Sequence, residues 1–205
     1  MHLLDDVELG RDGFPIVRGS EIIPDELVEF VAKRKRDAAQ LEAAHFYAED
    51  YRFERIWNCP ERYAESLAHF GAVVQPDFSI YIDTPEPVQV WNKFRNNLLA
   101  AYWQSKGIEV IPNLRWGFSS TYDITFAGLP TGGVFATSPI GMQGDRQLKR
   151  IWAQGMQEAI ERLKPDVLLI WGDLPDFDFG DLQVIRYANK RLERQRKHGR
   201  RSRES

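Results

Sequence analysis

Short apolar runs and amphipathic stretches alternate along most of this chain. Four of the runs are continuous rather than alternating in polarity: AVV (72–74), IEVI (108–111), GVFAT (133–137) and DVLLIW (166–171). Parallel strands that are covered by helices on both faces have this pattern. The aromatic run 45–53 predicts a first strand that precedes these four, and the run 182–187 predicts a last, edge strand.

Helical periodicity and helix-end signals fill the segments between the strands. The clearest helix is predicted over 84–107, with Thr84 as N-cap, Pro85 in the first turn and Gly107 just past the end. Apolar residues recur at helical spacing along one face of this segment. Further helices are predicted over 21–35, 59–71, 119–129 and 145–165.

This alternation predicts a single α/β domain of five or six mostly parallel strands with helical crossovers. A complete eight-stranded barrel usually needs about 250 residues, and this chain has 205 and too few candidate strands. We therefore expect an open sheet or a partial barrel. The predicted organisation is an N-terminal extension with a short helix (1–43), the α/β domain (44–188) and a basic, disordered tail (189–205).

Charge is distributed unevenly along the chain. The net charge is −3, yet residues 190–205 contain eight Lys or Arg and two Glu, which leaves −9 on residues 1–189. Such a tail is compatible with nucleic-acid binding and also with a solvated terminus that binds nothing. The acidic body favours the second interpretation, because it repels phosphate.

The composition argues against several classes of protein. No apolar run approaches the roughly 18 residues that cross a bilayer, and the acidic N-terminus does not resemble a secretory signal. The single cysteine, Cys59, excludes an internal disulfide and suits a reducing compartment. Four His and one Cys make no zinc-ligand spacing. We expect a cytoplasmic protein that has no membrane partner.

Each predicted strand turns from apolar to polar at its carboxyl end, where parallel α/β folds gather their functional groups. The residues at these ends are Asp50, Arg52, Asp77, Ser79, Asn113, Arg115, Trp116, Thr137, Ser138, Trp171 and Asp173. If the strands are parallel, these side chains share one rim.

Three chemical interpretations of this rim remain open. Asp50, Asp77 and Asp173 are candidate catalytic groups that could hold Mg²⁺, with Arg52 and Arg115 gripping a phosphate. Alternatively, a carboxylate pair acts on a sugar that stacks on a rim tryptophan. In the third interpretation, the carboxylates and arginines pair with one another and brace the loops.

Polar residues also recur along the predicted helix 84–107. Asn92, Arg95 and Asn96 lie at helical spacing on one stripe. The stripe is either a solvated face, or it places Arg95 where it bridges to the rim or to a partner.

The loop 137–145 carries two glycines between a strand and a helix. Such a loop can present backbone N–H groups to an anion. The plainer interpretation is a turn with Asp145 as the helix N-cap, since Asp145 would repel a phosphate.

Nucleophilic catalysis has little support in the sequence. No G-x-S-x-G motif is present. Cys59 precedes a predicted helix, where a thiolate is stabilised, but no histidine can be assigned to it. We interpret His45 and His69 as packing residues.

Several ordered blocks between His45 and Gly172 resemble the bacterial and phage family called domain of unknown function 4417. The blocks are HFYAEDYRFERIWNCPERY, PDFSIYIDTPEPVQVWNKFRN, YWQSKGIEVIPNLRWG and DVLLIWG. The positions that match its pattern are Asp50, Tyr51, Arg52, Phe53, Glu54, Trp57, Pro76, Asp77, Phe78, Ser79, Asn92, Arg95, Pro112 and Trp116. The resemblance implies a protein of phages or mobile elements and supports the rim as a site, but it implies no activity.

One loop departs from the family pattern. After the fourth strand the family often has Ser-Thr-x-Gly-Cys, whereas this chain has SPIGM, with Met142 at the cysteine position. A cysteine-based mechanism is therefore in doubt for this member.

The sequence predicts that the rim binds or hydrolyses a phosphorylated small molecule, a nucleotide or a nucleic acid. The predicted ligand-binding residues are Arg52, Ser79, Arg95, Asn113, Arg115, Trp116 and Ser138. The alternative is a non-enzymatic protein-interaction or regulatory factor that binds a protein partner through its aromatic surface and basic tail.

Overall fold

A computed structural model describes residues 2–30, 41–80, 82–142 and 145–189, and these ranges contain seven short strands. The strands are β1 (Glu26–Glu29), β2 (Glu42–His45), β3 (Ala72–Val74), β4 (Val110–Ile111), β5 (Val134–Thr137), β6 (Val167–Trp171) and β7 (Gln183–Tyr187). The α-helices are α1 (Arg55–Asn58), α2 (Pro60–Leu67), α3 (Glu86–Ser105), α4 (Tyr122–Thr125) and α5 (Arg146–Leu163). Short 3₁₀ helices lie at His2–Asp6, Asp50–Arg52 and Ser119–Thr121.

The strands follow one another in chain order and all run parallel. One sheet has the order β1-β2-β3-β4 and the other has the order β5-β6-β7. A parallel bridge between Asn113 and Ala136 connects the two sheets just past β4. The prediction of an α/β fold with mostly parallel strands and helical crossovers is confirmed, with seven strands where five or six were expected.

All seven strands surround one apolar interior. The cluster that fills it takes at least one side chain from each strand: Leu27, Ala43, Ala72, Val74, Ile111, Val134, Ala136, Val167, Leu169, Ile185 and Tyr187. The hydroxyl of Tyr187 on β7 also donates a hydrogen bond of 2.5 Å to the carbonyl of Pro24, just before β1. The last strand therefore returns to the first, as in a partial barrel that is filled by its own side chains.

Helices cover the outside of this barrel. Leu98, Leu99 and Trp103 of α3 pack into a second apolar cluster with outward-facing side chains of β2 and β3. Helix α5 packs with Leu168 and Ile170 in a third cluster. Asp145 caps α5, since its carboxylate accepts hydrogen bonds from the N–H groups of Gln147 and Leu148; the N-cap interpretation is confirmed.

Two predictions near the N-terminus are wrong. Residues 26–29, inside the predicted helix 21–35, form β1, because Leu27 faces the barrel interior and the backbone pairs with β2. The predicted strand 45–53 starts and ends too late: β2 is Glu42–His45, and residues 50–52 form a 3₁₀ turn. The segment 31–35 and the tail 190–205 lie outside the described residues.

Candidate functional site

A cavity of about 550 Å³ opens at the carboxyl ends of the strands. Every strand, or the segment that follows it, contributes to its lining, which consists of Glu29, Tyr47, Ala48, Glu49, Arg52, Asp77, Ser79, Ile80, Arg115, Ile140, Gly141, Trp171 and Asn189. We call this space the polar cavity. Its position is the one where parallel α/β barrels carry their active sites, and its volume is within the range of small-molecule sites.

An ion pair between Asp77 and Arg115 forms one wall of the polar cavity. Nε of Arg115 donates to Oδ1 of Asp77 at 2.8 Å, and Nη2 donates to Oδ2. The side chain of Asp77 is only 5% exposed and that of Arg115 is 25% exposed. Burial alone would lower the pKa of Arg115, but the charge and hydrogen bonds of Asp77 raise it above its ordinary value. Arg115 is therefore a fixed cation.

A buried hydrogen-bond chain holds this ion pair from below. Nδ2 of Asn113 donates to Oδ1 of Asp77 at 2.8 Å, and the hydroxyl of Tyr47 donates to Oδ1 of Asn113 at 3.0 Å. Burial raises the pKa of Tyr47 well above 10, and the charge of Asp77 adds to this effect. Tyr47 thus remains a protonated donor. Three hydrogen bonds to Asp77, two from Arg115 and one from Asn113, fix the orientation of its carboxylate, and the bond from Tyr47 holds Asn113 in place.

Asp50 lies outside the polar cavity and binds Ser79, which lines it. Its carboxylate accepts hydrogen bonds from the backbone N–H of Ser79 at 3.1 Å and from the Ser79 hydroxyl at 2.9 Å. Burial raises the pKa of Asp50, although the bonds from Ser79 oppose this. Asp50 does not line the polar cavity, whereas Ser79 does, so Asp50 positions Ser79.

The polar stripe of α3 is buried and grips the segment that carries Asp77. Asn96 both accepts a hydrogen bond from the backbone N–H of Phe78 (2.9 Å) and donates one to its carbonyl (3.0 Å). Asn92 donates to the carbonyl of Ser79 at 2.6 Å. The interpretation of this stripe as a solvated face is therefore wrong.

Arg95 lies in the same stripe and does not line the polar cavity. Its Nη1 binds both carboxylate oxygens of Glu54 at 2.8 and 3.0 Å, and its Nε donates to Oδ1 of Asn92. The guanidinium carbon lies 3.5 Å from the ring centroid of Phe78. Arg95 thus bridges to the rear of the rim, where it holds Phe78 between Asp77 and Ser79.

A second ion pair lines the polar cavity. Nη1 of Arg52 lies 2.6 Å from Oε1 of Glu29 at the end of β1, and both side chains are partly exposed. The sequence did not indicate Glu29, because the strand that carries it was interpreted as a helix. The feature that could have identified Glu29 is its position as a charged residue at the carboxyl end of the short segment Glu26–Glu29, directly after two apolar residues.

His45 lies fully buried in the barrel beside two residues of the cavity wall. Its ring centroid is 4.2 Å from that of Trp171 and 5.1 Å from that of Tyr47. Nδ1 accepts a hydrogen bond from the backbone N–H of Tyr47, and Nε2 has no partner among the described residues. Burial lowers the pKa of His45 to about 3. His45 is therefore neutral and, with Nδ1 as the acceptor, its Nε2 carries the proton.

The three predicted catalytic carboxylates do not converge. Asp77 lines the polar cavity and Asp50 lies behind it, whereas Asp173 pairs with Arg186 of β7 at 3.2 Å and does not line it. Within the described ranges, no group of three His, Cys, Asp or Glu residues is arranged to hold a metal ion. The geometry thus gives no protein-only Mg²⁺ site at these positions.

Trp116 and Ser138 line a second cavity of about 430 Å³, which we call the apolar cavity. Nε1 of Trp116 donates to the carbonyl of Ile151 at 3.2 Å, and the Ser138 hydroxyl donates to the carbonyl of Trp171 at 2.9 Å. Met142, at the position of the family cysteine, also lines this cavity. Asn113 lies beneath the site rather than in the wall of either cavity.

Comparisons with known proteins find similarity between the chain and two phage proteins. It is similar to the Gene 1 protein of Mycobacterium phage L5, with 37% identity over 185 residues, which cover 89% of this chain and 81% of the relative. The Gene 1 protein of Mycobacterium phage D29 is 35% identical over 185 residues, 89% of this chain and 68% of the relative. No solved structure matches.

Among the described residues, no helix combines the length and apolar character that crossing a membrane requires.

The family assignment covers almost the whole described part of the chain. The family model described as "Domain of unknown function (DUF4417)" matches residues 10–188, so the matched region includes all seven strands and, apart from Asn189, the lining residues of both cavities. The chain belongs to this family, as the sequence blocks indicated.

Proposed function

We propose that the polar cavity binds a small phosphorylated ligand, with Arg52 and Arg115 as the groups that hold the phosphate. The observation that carries the proposal is that both guanidinium groups line one cavity and each retains unused donors. Arg115 binds Asp77 through Nε and Nη2, which leaves Nη1 without a partner among the described residues. The guanidinium of Arg52 lies against Glu29, with Nη1 2.6 Å from Oε1.

Guanidinium groups suit this task because they remain charged and present several donors in a fixed plane. Each arginine here is also held in place by a carboxylate, so little side-chain entropy is lost when an anion binds. The phosphate adds hydrogen bonds to the free edges, and neither ion pair has to break.

The carboxylates of the polar cavity indicate which groups the ligand carries besides its phosphate. Glu29, Glu49 and Asp77 outnumber the two arginines in the lining, so a bare anion would meet a wall of net negative charge. A ligand that also carries hydroxyl groups can donate to these carboxylates and to Ser79. A sugar phosphate or a nucleotide has this combination of groups.

Binding is better supported than metal-assisted hydrolysis. Asp77 already accepts two hydrogen bonds from Arg115 and one from Asn113, which leaves it a poor general base. Among the described residues, no group of three His, Cys, Asp or Glu side chains is arranged to hold a metal ion. Release of inorganic phosphate from the bound compound is the measurement that separates an enzyme from a binding protein.

The experiment is a thermal-unfolding screen of the full chain with ribose 5-phosphate, glucose 6-phosphate, AMP and inorganic phosphate, with ribose as the uncharged control. A compound at about one hundred times its Kd stabilises the folded state by roughly 2.7 kcal/mol. We expect a rise in Tm with at least one phosphorylated compound and none with ribose. The absence of a shift with every phosphorylated compound overturns the proposal.

The matched variants are Arg52→Gln and Arg162→Gln. Arg162 pairs with Asp123 and Glu158 on the surface and does not line the polar cavity. We expect Arg52→Gln to abolish the rise in Tm and Arg162→Gln to retain it. Equal responses in both variants contradict the assignment of Arg52.

A protein-interaction role is the second candidate, and one observation favours it. Trp91 on α3 is 42% exposed, stacks on Phe94 and meets Trp57 edge-on at 5.2 Å, while Val88 one turn earlier is also exposed. Exposed aromatic clusters often mark interaction sites. The variant Trp91→Ser should leave phosphate binding unchanged. If this aromatic cluster binds a protein partner, the same variant should weaken the association of the chain with that partner.

A further inference from the structure

We propose that the apolar cavity holds the base of a nucleoside phosphate whose sugar and phosphate occupy the polar cavity. This inference rests on the proposed function and narrows the ligand class from phosphorylated compounds in general to nucleotides. It depends on the continuity of the two cavities, the chemistry of the apolar lining and its rigidity.

The two cavities adjoin one another. Ile80, Arg115, Ile140 and Gly141 line both of them. Arg115 therefore lies at the boundary, and its fixed guanidinium meets any ligand that extends from one cavity into the other. A phosphate held near Arg115 leaves the remainder of the ligand within reach of both spaces.

The apolar cavity has the lining expected for a ring. It is formed mostly by aliphatic and aromatic side chains: Ile80, Ile82, Leu114, Trp116, Ile140, Met142, Leu148, Ile151 and Trp152. The Thr137 and Ser138 hydroxyls in its wall already donate to the carbonyls of Leu114 and Trp171. Apart from Arg115, the charged lining consists of Asp83, which is exposed. The interior thus favours apolar faces over charged groups.

The walls are preformed, which distinguishes this space from a transient gap. Trp116 is fixed by its bond to the carbonyl of Ile151, and it packs so closely on α5 that a Cβ at Gly155 would lie 2.1 Å from its Nε1. Trp152 is held edge-on by Phe177, at an interplanar angle of 88°. Rigid aromatic walls favour a rigid ring over a flexible chain, because the ring loses little conformational entropy on binding.

The composition of the joint site matches the parts of a nucleoside phosphate. The arginines meet the phosphate, the carboxylates of the polar cavity meet the ribose hydroxyls, and the apolar cavity meets the faces of the base. A sugar phosphate uses only the polar cavity, and an alkyl phosphate offers no hydroxyls to Glu49 and Asp77.

The test is isothermal titration of the full chain with AMP, ribose 5-phosphate and octyl phosphate. We expect AMP to bind at least tenfold more tightly than either of the other two. Ribose 5-phosphate binding with no gain for AMP overturns this inference and leaves the proposed function intact. A lack of binding by all three overturns both. Tighter binding of octyl phosphate assigns the apolar cavity to an acyl or alkyl chain and also overturns the inference.

Variants of the apolar cavity test whether the base binds there. Leu148→Trp and Ile82→Trp fill the apolar cavity from two separate segments, and Gln147→Trp is an exposed control on α5 that does not line it. We expect either filling variant to reduce AMP affinity to that of ribose 5-phosphate, whose own affinity stays unchanged. If a folded filling variant retains wild-type AMP affinity, the base does not lie in this cavity.

Discussion

Arg115 donates to both carboxylate oxygens of Asp77, and these residues follow two adjacent strands, β4 and β3. The pair closes one wall of the polar cavity, while Asn113 holds Asp77 from beneath. Structural bracing and ligand binding are therefore compatible at this site, because the same contact that braces Asp77 fixes the free edge of Arg115.

Removal of Arg115 should destabilise the fold. Arg115→Met leaves the almost fully buried Asp77 without its cation, and breaking such a pair costs about 3 kcal/mol or more. We expect the Asp77→Asn/Arg115→Met double variant to recover part of this loss, since no buried charge remains. Urea unfolding of the three chains measures the difference, and an Arg115→Met variant as stable as wild type contradicts the role of the pair.

Asn96 should contribute to stability through its grip on Phe78. Asn96→Ala removes two buried hydrogen bonds to the backbone of Phe78, with an expected loss of about 2–3 kcal/mol. Gln157→Ala on the exposed face of α5, where Gln157 bonds only Glu161, is a matched control with an expected change within about 0.5 kcal/mol. Equal unfolding free energies for the two variants would falsify the claim that α3 anchors the 77–79 segment.

His45 should make the stability depend on acid pH. Its pKa is about 3 in the folded protein against 6.5 ordinarily, so the unfolded chain binds more protons between these values. The contribution of His45 is therefore fully present above about pH 6.5 and is lost as the pH falls towards 3. Within that window it should change the free energy of unfolding by up to about 1.4 kcal/mol per pH unit.

The measurement for His45 is urea unfolding from pH 4 to 7.5, with His45→Phe for comparison. We expect a steeper fall in acid for wild type than for the variant, because Phe cannot take up a proton. Parallel curves for the two proteins would show that His45 does not titrate differently on unfolding.

Lys93 is a buried cation on α3 whose removal should stabilise the protein. Burial lowers the pKa of Lys93 to about 7, with the charge of Asp12 acting in the opposite direction. The unfolded chain binds the extra proton between about pH 7 and 10.5, so the stability of wild type rises with pH across this window. Lys93→Met avoids the desolvation of the amine and should gain at least about 1 kcal/mol at pH 7.

The check on Lys93 is the pH dependence of the gain. The advantage of Lys93→Met over wild type should shrink as the pH rises from 7 to 10, since the proton that the amine gives up on folding costs less free energy to lose as the pH approaches 10.5, the ordinary pKa of lysine. A constant difference across this range assigns the effect to packing instead.

The positions of rim residues were predictable where an apolar run, the loop that follows it and the residue types in that loop all indicated the end of a parallel strand. Asp77 and Arg115 follow apolar runs that did become adjacent parallel strands, so the strand-end rule placed both in one cavity. Their bidentate pairing was not predictable, because it depends on the register of Val73 with Val110 and Val74 with Ile111. No local pattern encodes that register.

Other positions depended on tertiary contacts that the sequence does not show. Asp173 follows β6 as predicted, but it pairs with Arg186, which lies on the neighbouring β7. The strand Glu26–Glu29 is only four residues long, so its apolar pair fits a helix as well as a strand until β2 pairs with it. Glu29 and its contact with Arg52 were missed for that reason.

The most direct test of the central claim is calorimetric titration of wild type, Arg52→Gln and Arg162→Gln with ribose 5-phosphate and AMP. The polar cavity as a phosphate site predicts saturable binding of at least one compound to wild type and to Arg162→Gln. It also predicts at least a tenfold loss of affinity in Arg52→Gln. No binding to wild type, or the same affinity in Arg52→Gln, would contradict it.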